Sequence, residues 1–351
     1  MKKVVCLLTV LALALSLSGC AKEARGQVYA MDTVMNFTVY GRGGEEVLAS
    51  MERRVRELEN LLSRTREDSE ISALNAAAGE ERPVSPEVYT LLERARAAAE
   101  ATGGAFDPTV APVVSAWGFG GEAYRVPGEE ELKALLNTVG YSGITLEERE
   151  GKYFASLRPG QSVDLGGIAK GYASDCMADI LSGAGVKHAL AALSGNILAW
   201  GAKTDGTPWR VGIRDPERSD ANVGVLLLQD AYAVTSGGYE RYFEAGGKTY
   251  HHIIDPATGC PAESDLTSVT IVMDREQEEL GGRAGNGTLC DALSTALFVM
   301  GEEEALAFWR GGTYDFDAVL VTADGRVVAT EGLGERFIPT EGSGYAYETV
   351  S

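Results

Sequence analysis

From residue 190 onward, strand-like apolar stretches follow one another through short turns. They cover residues 190–200, 209–213, 223–228 and 231–235, with two more at 266–273 and 318–322. Antiparallel neighbours can be joined by a few residues, whereas parallel strands need a crossover of a dozen or more. This succession favours a largely antiparallel sheet over a doubly wound one. Helical spacing supplies a second layer. Val47, Leu48, Met51, Val55, Leu58, Leu61 and Leu62 recur at that spacing over residues 45–62, behind an acidic first turn. Ser85 and Pro86 read as N-cap and first residue of a helix running to about residue 101. Further helices are expected at 129–139, 167–181 and 291–300, and a first strand at 31–40. The fold class is α+β, a largely antiparallel sheet core with packed helices.

The chain has 351 residues, 45% hydrophobic and 23% charged, enough for a sizeable core in one large domain or two lobes. Its net charge is −20. Such a surface repels nucleic acid and phosphate alike, so no nucleic-acid partner is expected, and a phosphate-bearing ligand would need a local cation. Residues 1–19 read as an export leader, with Lys2 and Lys3 ahead of an apolar run too short to span a membrane comfortably. Leu17-Ser18-Gly19-Cys20 resembles the lipobox of bacterial lipoproteins, in which the leader is cut before a lipid-carrying cysteine. That makes Cys20 the expected lipidation site and places the domain on the outer face of the cytoplasmic membrane. Cys176, Cys260 and Cys290 have no CxxC spacing and read as small buried residues.

Four motifs bear on chemistry. "GFGGEA" at 118–123 fits G-x-G-x-x-[GA], but Tyr-Arg-Val-Pro follows, so no helix starts there to receive a pyrophosphate. "VDLGGIAKGYASD" at 163–175 runs from a strand end through two glycines into a helix, with Lys170 one turn in. It reads either as a phosphate-binding helix start or as a routine glycine turn capped by Asp164. In "CDALSTALFVMG" at 290–301, Asp291 and Thr295 are four residues apart and share one helix face. Their oxygens suit a hard cation, unless Asp291 is simply the N-cap and Thr295 a small core residue. The chain has three histidines, two of them side by side in "HHIIDPATG" at 251–259. Period-two alternation puts His251 and His252 on opposite faces of a strand that leads through Ile253 and Ile254 into an Asp-Pro turn. There is no Walker A sequence, no HExxH and no G-x-S-x-G.

Taken together these segments resemble the ApbE family of FAD:protein FMN transferases. "MDTVMNFTVYG", "REDSEISALN", "GAFDPTVAPVVSAWGFG", "VDLGGIAKGYASD", "ALSGNILAWG", "VTSGGYERYF", "HHIIDPATG" and "DALSTALFVMG" occur in family order between about Met31 and Phe337. The resemblance implies an α+β flavin-binding fold in which FAD is the substrate and Mg²⁺ the cofactor. FMN would pass to a Thr or Ser hydroxyl of a target protein, with release of AMP.

Carried over residue by residue, the resemblance gives Mg²⁺ the side chains of Asp291 and Thr295 and the carbonyl of Gly167. It assigns Met31, Thr65, Ala105, Phe106, Asp107, Asp164, Lys170 and Ile253 to FAD. It makes His252 the base. It implies acceptors that are exported domains of membrane redox complexes, RNF-type or sodium-pumping NADH:quinone reductase subunits, carrying D-G-x-[ST]-[GSA]-A-[ST]. Two residues depart from the pattern: Thr65 stands where many members have Tyr, and Ser194 where Gly is common. Two other readings stay open, a Mg²⁺-dependent FAD pyrophosphatase and a flavin-carrying lipoprotein. The expected division is a leader at 1–19, lipidated Cys20 and tether at 20–27, a catalytic domain at 28–338, and a loose tail or edge at 339–351.

Overall fold

The structure is a computed structural model and describes residues 22–121, 123–275 and 285–351. The expected leader and Cys20 lie outside the described residues. Numbered in chain order, one nine-stranded sheet runs β1 (Glu23–Ala30), β2 (Thr33–Tyr40), β6 (His188–Leu193), β7 (Asn196–Trp200), β10 (Ala231–Gly237), β13 (Leu266–Asp274), β14 (Asp317–Thr322), β15 (Arg326–Thr330) and β17 (Ala346–Val350). Every neighbouring pair is antiparallel except β15 with β17. The largely antiparallel sheet expected from the strand succession is therefore present.

Three smaller sheets attach to it. They are β3 (Arg82–Val84) with β5 (Lys152–Ser156) and β4 (Thr145–Arg149), β8 (Trp209–Arg214) with β9 (Asn222–Leu228) and β16 (Phe337–Pro339), and the hairpin β11 (Tyr242–Ala245) with β12 (Lys248–His251). The helices are α1 (Gly44–Leu62), α2 (Glu70–Asn75), α3 (Pro86–Ala101), α4 (Ala111–Trp117), α5 (Glu129–Leu136), α6 (Ala169–Gly183) and α7 (Asn286–Arg310).

The central strands are buried on both faces. Tyr232, Val234, Ile271 and Met273 join the core beneath α1, α6 and α7. Their alternates Ala231, Ala233 and Val272 join a second core under β8 and β9, with Trp209, Ile213 and Leu226. Two-sided burial is why these strands read as continuous apolar runs rather than alternating ones. A third, smaller cluster, built from Val113, Trp117, Phe119, Leu132 and Ile254, packs against Phe243 and Tyr250 of the hairpin.

Several expected boundaries shift, each for a local reason. Residues 190–200 are two strands, because Ser194 (φ 61°) and Gly195 turn the chain between β6 and β7. The strand expected from residue 31 begins at Thr33, after a two-residue turn in which Met31 and Asp32 have φ of 50° and 57°. That turn leads back to β1, so residues 23–27, expected as tether, are paired edge strand, with Ala24 and Val28 buried. Of the two alternatives for the C-terminal residues, 346–350 take the edge strand. The strand holding the two histidines ends at His251, and Ile254 makes only an isolated bridge to Pro261. Helix α7 starts at Asn286, which rules out Asp291 as its N-cap, and its geometry breaks at Gly301. Cys176 and Cys290 are buried as expected, whereas Cys260 is only half-buried.

One contact fixes the helix layer. A Cβ placed on Gly171 of α6 would lie 2.1 Å from the Gly287 carbonyl oxygen of α7, and one on Gly287 would lie 2.7 Å from that of Gly171. The two backbones therefore touch at a crossing only glycine permits. Buried Asp175 locks it, accepting from Gly287 N–H at 2.9 Å and Thr288 N–H at 3.0 Å and so capping α7 from α6. Burial pushes this carboxyl up to about 6, against the bonds from Thr288 and Gly287.

Candidate active site

A cavity of about 440 Å³ lies where the β1–β2 turn, the end of α1, the loops before and after α4, the start of α6, the chain after β12, and α7 meet. Every residue expected at the site lines it. The residues expected to bind flavin, Met31, Thr65, Ala105, Phe106, Asp107, Asp164, Lys170 and Ile253, are there, as are Gly167, Asp291, Thr295 and His252.

At the α7 side, Asp291 and Thr295 project from one helix face, and Asp291 is 2% exposed. One Asp291 carboxylate oxygen accepts from Gly171 N–H at 2.8 Å, a bond the glycine crossing makes possible. The other has only the Asn196 side-chain amide at 3.3 Å. The buried Asn196 Oδ1 beside it has no hydrogen-bond partner. A Cβ on Gly167 would lie 3.5 Å from Thr295 Oγ1, so the Gly167 backbone and the Thr295 hydroxyl are close. Among the described residues no group of three or more His, Cys, Asp or Glu is placed so as to hold a metal ion. The candidate donors are the Asp291 carboxylate, the Thr295 hydroxyl and the Gly167 carbonyl, all oxygen. That set fits a hard cation such as Mg²⁺, which keeps waters and takes substrate phosphate oxygens as further ligands.

His252 lines the same cavity from the chain that follows β12. Its Nδ1 is 3.2 Å from the Arg241 carbonyl, which can only accept, so Nδ1 carries the proton and Nε2 keeps a free lone pair. Burial, then Arg241 and Lys170, push its pKa down to about 3 despite that hydrogen bond. The imidazole is neutral and able to take a proton. His251 points the other way, as expected: its ring packs edge-on to Phe298 at 5.5 Å and its Nε2 is 3.2 Å from the Ala262 carbonyl.

Two of the expected contacts are modified. The Asp107 carboxylate is taken up inside the fold by Thr109 N–H at 2.8 Å and Tyr141 N–H at 2.8 Å, so its backbone, not its side chain, is left for a ligand. Asp164 pairs with Arg64 at 2.7 Å and accepts from Gly166 N–H at 2.8 Å. Arg64 also reaches Ser115 Oγ at 3.0 Å and the Phe119 carbonyl at 2.6 Å, tying three wall segments together. Met31 is held by its backbone N–H on Glu59 Oε1 at 2.7 Å, which pins the strained turn.

Arg64, Arg241, Glu59, Ser236 and Phe119 line the cavity but escaped the sequence reading. The acidic net charge implied that local cations were needed. No spacing rule says which of 31 Lys and Arg residues supply them. Among the described residues of the 118–123 segment no helix starts, α5 beginning only at Glu129, yet Phe119 and Gly120 form part of the wall.

The ApbE family profile matches residues 31–320. The chain belongs to the ApbE family. It is 35% identical over 342 residues to the FAD:protein FMN transferase of Treponema pallidum (strain Nichols), covering 90% of this chain and 91% of that protein. It is 34% identical over 330 residues to the enzyme of the same description from Vibrio cholerae, covering 91% and 94%. Among solved structures, the ApbE protein of Thermotoga maritima superposes with a TM-score of 0.81 at 31% identity, covering 90% of this chain and 99% of that one. The apo flavinyl transferase ApbE of Pseudomonas stutzeri gives 0.75 at 28% identity, covering 93% and 96%. The ApbE fold is thus the one expected from the motifs.

Proposed function

We propose that this protein transfers FMN from FAD to a Thr or Ser hydroxyl of a target protein and releases AMP. The observation that carries this is the meeting, in one cavity, of a neutral His252 with a free Nε2 and the Asp291–Thr295–Gly167 oxygen set. The relatives' activity as FAD:protein FMN transferases supports it. His252 Nε2 takes the proton of the acceptor hydroxyl as its oxygen attacks the FMN phosphorus. The new P–O bond forms while the pyrophosphate bridge breaks, and AMP leaves with the bridging oxygen. Lys170 and the α6 start face the phosphates. The backbone at 105–107, Met31 and Ile253 hold the flavin end. Mg²⁺ bound by Asp291, Thr295 and the Gly167 carbonyl would offset pyrophosphate charge in a chain of −20.

The acceptors we propose are exported domains of membrane redox complexes, RNF-type or sodium-pumping NADH:quinone reductase subunits with the D-G-x-[ST]-[GSA]-A-[ST] motif. An anchor through Cys20 would put the protein on the same face of the membrane. Thr65 favours one second reading. It lines the cavity where many ApbE members carry a tyrosine ring. Losing a stacking contact worth about 0.5–1.5 kcal/mol would loosen the flavin and admit water as acceptor.

One experiment separates the two. Residues 21–351 are incubated with FAD and Mg²⁺, with and without an acceptor domain, and acceptor mass and AMP are followed. A mass gain of one FMN with matching AMP is expected, abolished by EDTA and restored by excess Mg²⁺. AMP and free FMN without a mass gain would establish the pyrophosphatase instead. Transfer that survives EDTA would remove the cation from the mechanism.

A further inference from the structure

Beside His252 stands a cation that the reaction as derived leaves unused. Arg241 directly precedes β11 and His252 directly follows β12, whose neighbouring residues Tyr242 and His251 are register partners. The ladder continues one step further, His252 N–H donating to the Arg241 carbonyl at 3.0 Å. Residues directly opposite in an antiparallel pair share a face, with Cβ atoms about 4.5–5.5 Å apart. Arg241 and His252 both line the cavity. The hairpin therefore presents guanidinium and imidazole side by side to the same ligand space.

Four cationic residues of the wall can be compared. Arg64 is bound to Asp164, Ser115 and the Phe119 carbonyl. Arg66 stands 3.5 Å from Asp68. Arg241 and Lys170 make no side-chain hydrogen bond or ion pair among the described residues, although the chain carries 51 acidic residues that could have supplied one. Lys170 sits at the start of α6, where phosphate is already expected. Arg241 is exposed and comes from a different element, the start of the β11–β12 hairpin.

We propose that Arg241 is a phosphate-binding residue of the transfer site, its guanidinium gripping the FAD pyrophosphate next to His252. The inference rests on the FAD reading above. A guanidinium matches two phosphate oxygens with two parallel N–H bonds, which a lysine ammonium cannot do. Held by the same backbone pair that fixes the base, it aligns the phosphorus with the hydroxyl His252 deprotonates. Its charge also meets the negative charge that gathers on departing AMP.

The test compares FAD with riboflavin, which has the isoalloxazine ring and no phosphate. Binding of each to wild type, Arg241→Met and Arg241→Lys is measured by flavin fluorescence, and AMP release is timed with FAD and Mg²⁺. Arg241→Met is expected to weaken FAD roughly 10- to 100-fold, the range for a charged hydrogen bond. Riboflavin binding should stay unchanged, and lysine should recover part of the loss. Equal weakening of both flavins would make Arg241 a wall residue, and unchanged FAD binding and AMP release would remove it from the site. Either result leaves the transferase reading intact if wild type releases AMP. A wild type that neither binds FAD nor releases AMP would overturn both.

Discussion

At the scale of single residues, the histidine pair shows how one turn of sequence serves two purposes. His251 is half-buried and packs on Phe298, and His252 lines the cavity as the proposed base. Burial, then Arg241 and Lys170, hold the His252 pKa at about 3, against an ordinary value of 6.5. Because kcat/KM reports groups of the free enzyme, its acid limb for AMP release should lie well below pH 6.5. A limb at 6.5 or above would mean a different base. The same depression has a stability consequence. The unfolded chain binds a proton that the folded imidazole refuses, so stability contributed here is lost as pH falls from about 6.5 toward about 3. His252→Ala should lower kcat by roughly 10²- to 10⁴-fold with little change in FAD binding. Ser194 is a different case. It sits at φ 61° in the β6–β7 turn, where a side chain costs about 1–2 kcal/mol relative to a relaxed backbone. Ser194→Gly should raise stability by up to about 1 kcal/mol in urea unfolding, once glycine's own entropy loss is counted.

Among elements, the α6–α7 crossing decides whether the site exists. Gly171 donates to Asp291 from the point where the two backbones touch. Gly171→Ala cannot be absorbed by a rotamer change, because the obstacle is the Gly287 carbonyl. The helices must separate, at a cost at or above the roughly 1–3 kcal/mol typical of overpacking. The melting temperature should drop, and Mg²⁺ binding measured by calorimetry should weaken with it, because Gly167 at the α6 side and Asp291 and Thr295 of α7 move apart. An unchanged melting temperature would show that the crossing is looser than its geometry indicates. The hairpin β11–β12 acts at the same scale. Its register, not any local motif, puts Arg241 opposite His252.

For the whole molecule, charge and attachment set the context. Among the described residues no helix is long and apolar enough to cross a membrane. The proposed attachment therefore rests on Leu17-Ser18-Gly19-Cys20. In cells, the full chain should fractionate with membranes and Cys20→Ala should not, while AMP release from FAD stays equal in the two. Co-sedimentation of the Cys20→Ala chain with membranes would place the anchor elsewhere.

The sequence by itself determined the element types, the antiparallel pairing, the expected site residues and the ApbE membership. It could do so because these depend on short-range periodicity, on turn chemistry such as Ser85-Pro86, and on motifs read in order. It misjudged residues 23–27 and left 346–350 open between tail and edge. Edge strands bury only one side, and their patterning is too weak to separate from loop. Only the tertiary structure decided that Asp107 turns its carboxylate inward, and that Arg64 and Arg241 join the site. Those facts follow from contacts between segments far apart in the chain, Arg64 with Phe119, Gly171 with Gly287, Asn196 with Asp291. Spacing along the chain carries no information about which distant backbone will close within 3 Å.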